Sequence, residues 1–282
     1  MIIDSHTHIF SPDVIEGRDR LCSSDRCFGL LYGSAKARLC TAEELIRSMD
    51  EHGIDVSIVQ NIGWSGHEMC RRSNDYILES LSKYPGRLIG FCAIQPLEGG
   101  KALDELERCS KGGMRGVGEL RPDVQGFDLC DQTLMQPLIN RMAGLGMPLS
   151  LHVSEPVGHD YPGKGSNTPG TVYRFIAASK KLKVILAHLG GGLPFYELMP
   201  EVREALSNAW YDTAAVPFLY RPEVYRAVAA MSGIARILFG SDWPLLSPRR
   251  VIDHIGEAGL GRGEADAVLG GNARRLFNLE GE

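Results

Sequence analysis

No stretch of this 282-residue chain approaches the roughly eighteen consecutive apolar residues needed to cross a bilayer, so no membrane span is expected. Positive charge is not in excess. Thirty Lys and Arg against 35 Asp and Glu leave a formal net charge of -5, which argues against the basic face a nucleic-acid partner requires. The seven cysteines (22, 27, 40, 70, 92, 109 and 130) are an odd number without a CxxC pair, which predicts reduced thiols rather than a disulfide framework. The start shows no basic segment leading into a short apolar core, so no secretory leader is expected and the assignment is cytoplasmic. No repeat, low-complexity tract or linker interrupts the chain. Residues 1–282 therefore read as one domain.

What the chain does have is rhythm. Short apolar runs recur at Ile2–His6, Ile54–Gln60, Leu88–Ile94, Arg115–Leu120, Pro148–Val153, Lys183–His188, Ala209–Thr213 and Arg236–Asp242. From the second onward they start about 30 residues apart, the size of a βα unit. Eight such units make an α/β protein of the (β/α)8 TIM-barrel class. The runs are apolar on both faces, as in "KVILAH", which suits parallel strands covered by helices. Helix punctuation fills the gaps. Thr41 with Glu44 forms a capping box stopped by Gly53, Ser247–Pro248 opens another helix, and Thr133 with Gln136 a third. The tail from Gly263 to Leu279 reads as closing helices.

Between His8 and Thr41 lie 32 residues without clear periodicity. A connection longer than about 12–15 residues is usually functional or has structure of its own. The spacing of Cys22, Cys27 and Cys40 within it matches no zinc signature. Residues 11–40 are therefore expected to be a long loop insertion after strand one that serves as a lid.

The chemistry-bearing residues gather where these strands end. His6 and His8 stand one residue apart on strand one, so both project to one face. Glu119 ends strand four, His152 strand five, His188 strand six, Asp212 strand seven and Asp242 strand eight. Random placement of eight histidines would put about 0.5 at such positions, and four stand there. Strand parity reinforces the pattern: His152 inward sends Leu149 and Leu151 outward, and His188 inward does the same for Ile185 and Ala187. Imidazoles and carboxylates converging in one cavity form the ligand set preferred by zinc, with Mn2+, Fe2+ or Ni2+ as alternatives. Such a site activates water near neutral pH, with Asp242 moving protons.

Bland readings exist beside these. Asp242, after Gly240 and Ser241, could cap the following segment, and Asp212 could either tie strands together or orient a ligand histidine. His52, His67 and His254 fall on helices and are assigned no role. Arg121 shares the parity of Glu119, and the loop "HVSEPVGHDYPGKG" bunches Glu155, His159, Tyr161 and Lys164 beside His152. Arg121, Glu155, His159 and Lys164 are therefore the candidate substrate contacts. The two cations in this group suggest a carboxylate on the substrate.

The segments "DSHTH", "GVGEL", "LHV", "LAHLGG" and "LFGSDWP", in that order, resemble the amidohydrolase superfamily from residue 2 to about 279. The resemblance is nearest to its amidohydrolase-2 group, which includes metal-dependent hydrolases and non-oxidative decarboxylases similar to aminocarboxymuconate-semialdehyde decarboxylase. It implies metal binding by His6, His8, His152 and Asp242, with His188 holding the water or substrate. Relatives with a carbamylated-lysine bridge place a lysine where this chain has Glu119, which argues against that binuclear centre. "GVGEL" also resembles the bridging-glutamate strand of TatD-like deoxyribonucleases, so Glu119 is carried as the bridge to a second ion that His152 and His188 would complete, with a single ion preferred. The expected function is metal-dependent hydrolysis of an amide, lactone or related carbonyl compound of small size. A lyase that decarboxylates an unsaturated or aromatic acid is the alternative, and a non-catalytic metal- or ligand-binding barrel the second. Homo-oligomerisation stays open.

Overall fold

The computed structural model describes residues 1–279, and in it every apolar run singled out above becomes a strand. They are β1 (Ile3–His8), β2 (Val56–Gln60), β3 (Leu88–Cys92), β4 (Gly116–Leu120), β5 (Leu149–Leu151), β6 (Val184–Leu186), β7 (Ala209–Asp212) and β8 (Ile237–Leu238). Each pairs in parallel with the next, in the order β1 to β8. The ring closes through backbone bonds from Ser5 N to Phe239 O (2.7 Å), Asp242 N to His6 O (2.9 Å) and His8 N to Trp243 O (2.7 Å). This is the expected (β/α)8 barrel. Among the described residues no helix is long and apolar enough to cross a membrane.

Helices cover the outside because they carry one apolar face. Ala42–His52 begins at the expected capping box, with Glu44 Oε2 accepting from Thr41 N at 2.8 Å, and ends at Gly53 in the left-handed region (φ 70°). The helix Gln132–Leu145 starts earlier than its sequence suggested. Asp131, not Thr133, is the cap, accepting from the backbone N–H groups of Thr133 and Leu134. Carboxylate and hydroxyl caps compete for the same N–H groups, and the residue with extended backbone takes them.

Two cores result. Val117, Leu149, Leu151, Val184 and Leu186 face the helices, whereas Ile3, Ile58, Phe91, Ile185 and Leu238 meet inside the barrel. Leu276 and Phe277 of the closing segment join this inner cluster. The tail thus plugs the end of the barrel opposite the strand C-termini.

The stretch 11–40 is not an unstructured loop. It folds into the short helices Pro12–Glu16, Arg18–Ser24 and Arg26–Tyr32, each too brief to leave a readable period. Phe28, fully buried, stacks on Trp64 at 5.4 Å, and Phe10 meets Tyr32 edge-on at 4.9 Å. With Ile62, Ala93 and Val124 these residues form a separate apolar cluster over the C-terminal ends of β2 to β4. Burying a Phe-sized side chain contributes about 1.5–3 kcal/mol, so the segment has its own reason to stay in place.

Candidate metal centre

Three local departures from regular strand geometry aim the side chains. In β1 the pairing with β2 shifts register between Asp4 and Thr7, so Ile3 and His8 both point inward although an odd interval separates them. A second shift, between Val117 and Leu120 of β4, leaves both apolar residues facing helices and turns Glu119 into the mouth. Gly118 sits there at φ 137°, a backbone conformation side chains disfavour. Bulges of this kind re-aim single side chains beside functional sites. Strand β6 corrects the parity argument above. Ile185 packs inside the barrel, so simple alternation would send His188 outward. The strand instead ends at Leu186, and His188 enters the left-handed region (φ 59°, ψ 42°), which swings its ring back over the mouth.

Asp242 also adopts positive φ (62°). Such non-glycine conformations cost about 1–3 kcal/mol each and persist only where the surroundings over-determine them. Here the surroundings include Gly240, where a Cβ would come within 2.8 Å of the His6 Cβ. Glycine is what lets the chain after β8 approach β1 closely enough to bring Asp242 to His8.

The resulting cluster is buried and compact. His6 Nε2 lies 3.0 Å from His8 Nε2, and Asp242 Oδ1 lies 3.4 Å from His8 Nε2 and 3.9 Å from His6 Nε2. On the other side His152 Nδ1 is 3.1 Å from both Glu119 Oε1 and His188 Nε2, with Glu119 Oε1 3.7 Å from His188 Nε2. Ligand atoms of His6, His8 and Glu119 fall within 4.8 Å of one another, as do those of Glu119, His152 and His188. The structure thus brings together all six sequence-derived ligand candidates. It places Glu119 at their centre, and groups His152 with Glu119 and His188 rather than with His6 and His8.

The hydrogen bonds around the rim decide which ring nitrogen faces the centre. His8 Nδ1 meets Gln60 O at 3.3 Å and His188 Nδ1 meets Ala214 O at 2.8 Å. A carbonyl only accepts, so both Nδ1 atoms carry the proton and both Nε2 atoms offer a lone pair inward. His6 Nδ1 donates to Asp212 Oδ2 at 2.9 Å. In His152 the roles reverse, because Nε2 engages Ser154 Oγ at 3.1 Å and leaves Nδ1 facing Glu119. Two lone-pair nitrogens at 3.0 Å repel unless a proton or a cation lies between them. The donor set therefore fits a divalent metal ion.

Electrostatics agree with that reading. Burial opposes charge on His6, yet the Asp212 carboxylate, with Glu119 and Asp242 beyond it, holds the imidazolium up to about 10. Burial would raise Glu119, but His152, His6 and His188 keep its carboxyl well below the usual range. Asp242 is held at about 2, the His8 hydrogen bond and the nearby imidazoles outweighing its burial. Burial together with the positive charge of Arg121 pushes His152 down to about 4.

The substrate candidates separate. Arg121 is fully buried just after β4, where its Nη2 donates to Gly163 O at 2.6 Å, and its charge is close enough to depress His152. Lys164 is spent on the loop itself, donating to Val157 O, Gly158 O and His159 O at 3.1, 3.5 and 3.0 Å. Glu155 accepts from Tyr161 at 3.2 Å, and His159 is exposed. Sequence proximity to His152 did not bring Lys164 or His159 into the mouth. Tyr32, from the insertion, was missed. Its hydroxyl is buried and its ionisation suppressed by burial, with Asp242 and Glu119 adding to it, which places it at the edge of the cluster. Nothing in its local pattern pointed there. Among the described residues no cysteine belongs to either ligand group.

Comparison with known proteins puts this geometry in context. A family model described as Amidohydrolase matches residues 3–279. A gamma-resorcylate decarboxylase from Polaromonas sp. (strain JS666) is 28% identical, over 83% of this chain and 86% of its own length. One from Rhizobium sp. (strain MTP-10005) is 27% identical, over 84% and 86%. Among solved structures, 5-carboxyvanillate decarboxylase from Sphingomonas paucimobilis shares the fold with a TM-score of 0.81 at 18% identity, covering 98% of each chain. A dihydroxybenzoic acid decarboxylase from Polaromonas sp. JS666, solved with bound manganese, has a TM-score of 0.74 at 22% identity, covering 100% of this chain and 98% of its own. These likenesses are to decarboxylases and overturn the expectation of a hydrolase. The motifs that suggested hydrolysis mark the clustered histidines and carboxylates, and those residue types do not discriminate between the two chemistries.

Proposed function

The chain belongs to the amidohydrolase family, and on that premise we propose that it is a metal-dependent, non-oxidative decarboxylase of a small aromatic or unsaturated carboxylic acid. The observation that carries this reading is the buried cluster of four imidazoles with Glu119 and Asp242 at the barrel mouth, in a chain alike over most of its length to curated decarboxylases.

His6, His8 and Asp242 would hold the ion, with Glu119, His152 and His188 on the facing side. Manganese or zinc both suit this nitrogen and carboxylate set. A divalent ion bound there would supply the positive charge that polarises the substrate's oxygens. The remaining steps belong to the chain. His188, its Nδ1 fixed by Ala214 O, turns Nε2 toward the cluster and orients a substrate oxygen. Asp242 takes up a proton and passes it to the ring or vinyl carbon that bears the carboxylate. The C–C bond then breaks, its electron pair restores the unsaturated system, and CO2 leaves. One proton is consumed per turnover and no oxidant is needed. The aromatic cluster of Phe10, Phe28, Tyr32 and Trp64 beside the mouth keeps the protonated carbon away from bulk water.

The test is CO2 release from metal-loaded protein given a panel of hydroxylated benzoic acids, including gamma-resorcylate and 5-carboxyvanillate, with the decarboxylated product followed by NMR. Turnover of at least one member is expected. A metal-replete preparation releasing no CO2 from any of them would refute the reading.

A further inference from the structure

Asp4 is 1% exposed and Ser241 is fully buried, and neither has a part in the proposed reaction. A carboxylate is almost never buried this deeply without a paired cation. Among the described residues Asp4 has no Lys or Arg partner. Its hydrogen bonds go instead to two segments, and each of them carries metal-ligand candidates.

The first segment is its own strand. β1 pairs irregularly with β2 between Asp4 and Thr7, and within that stretch Asp4 Oδ1 accepts from His6 N at 3.2 Å. A short acidic side chain bonding the N–H two residues on offers the backbone an alternative to the regular ladder. Asp4 thus supports the irregularity that turns His6 and His8 into the mouth.

The second segment is the turn after β8. Ser241 N donates to Asp4 Oδ1 at 2.8 Å, and Asp242 N donates to His6 O at 2.9 Å. Trp243 N donates to Ser241 Oγ at 3.0 Å, and that hydroxyl donates to Asp4 Oδ2 at 2.5 Å. Three consecutive N–H groups are therefore tied to β1. Asp242, in the middle, has φ 62°, a conformation that persists only where the surroundings impose it. The Asp4 carboxylate fastens the residues on both sides of it, Ser241 directly and Trp243 through Ser241 Oγ. Asp4 itself belongs to neither ligand group.

We propose that Asp4 is a positioning residue of the metal centre. Without touching the ion, this one buried carboxylate sets His6 and His8 on β1 against Asp242 after β8, and so determines how tightly the three hold a divalent cation. The proposal rests on reading the cluster as a metal site.

The test is the Kd for Mn2+, from chelator competition, together with the melting temperature of the metal-free protein, in wild type, Asp4→Ala, Asp4→Asn and Ser241→Ala. Asp4→Ala should bind manganese at least about tenfold more weakly, as is usual when a carboxylate behind metal ligands is lost. Asp4→Asn keeps Oδ1 as acceptor for both N–H groups, and its amide can donate to Ser241 Oγ, so it should recover most of the affinity. A residue that only stabilises the fold would lower the melting temperature and leave the Kd alone. A wild-type Kd in Asp4→Ala, or an Asp4→Asn protein as weak as Asp4→Ala, would overturn the proposal. Should Asp4→Ala fail to fold, Ser241→Ala tests the same bond from its other end: several-fold weaker binding is expected, and unchanged binding overturns the idea. Wild type that binds no manganese would strike the metal reading and this proposal with it, whereas tight binding by wild type and variants alike strikes the role of Asp4 alone.

Discussion

Asp212 Oδ2 accepts the Nδ1 proton of His6 at 2.9 Å, across 206 residues of sequence. Its other oxygen accepts from the backbone N–H of His188 (3.1 Å) and of Ala214 (3.0 Å). One carboxylate thus sets the ring of a ligand candidate on β1 and the left-handed turn that carries another after β6. Both readings open at the level of sequence, strand tie and ligand orienter, describe it. Asp212→Ala should weaken metal binding about 10–100-fold, the usual effect of removing a carboxylate behind a ligating histidine. Chelator competition measures this, and unchanged affinity would show that His6 needs no such support.

His6 and His8 should be indispensable for metal retention. Because the inner apolar cluster does not depend on either ring, a His6→Ala/His8→Ala protein is expected to keep its circular-dichroism spectrum and lose its metal and activity. Full occupancy in the purified double variant would rule out their role as ligands.

Metal affinity should rise with pH. His6 is raised from its ordinary 6.5 to about 10 in the folded chain. Its proton therefore stabilises the metal-free fold fully below 6.5, and that contribution is lost as pH rises through 10. An incoming cation must displace this proton, so apparent affinity should gain up to about tenfold per pH unit between roughly 7 and 9. Competition titrations at three pH values would show it, and a flat profile would mean that the imidazolium is not what the metal replaces.

Asp242→Asn preserves shape and removes the carboxylate proposed to carry the proton. For any acid the enzyme turns over, kcat should fall by about 10²–10⁴-fold, with metal content measured alongside. A metal-replete Asp242→Asn enzyme with near-normal kcat would take Asp242 out of the proton path.

Glu119 lies in both ligand groups, so it bears on stoichiometry. One equivalent of metal per chain is expected, since two divalent ions about 3.5–4 Å apart repel and Glu119 is the one carboxylate shared between the groups. Elemental analysis under metal-replete conditions tests this; two equivalents, dropping to one in Glu119→Gln, would establish a pair of ions instead.

By itself the sequence determined the eight strands, the barrel they make and the residues that meet at its mouth. Strand ends are legible because β-branched and apolar runs of the right length alternate with capped helices, and in this fold the C-terminal ends converge whatever else happens. Tertiary structure decided the aim of each side chain. The bulges in β1 and β4 and the left-handed turn at His188 arise from pairing between segments far apart in the chain, and alternation within one strand cannot foresee them. It also separated two cations that looked equivalent. Lys164 is flexible and finds three carbonyls in its own loop, while Arg121 is clamped by Gly163 O with Nε and Nη1 unmet. Which donors are satisfied depends on every neighbour in space, and spacing along the chain carries no record of that.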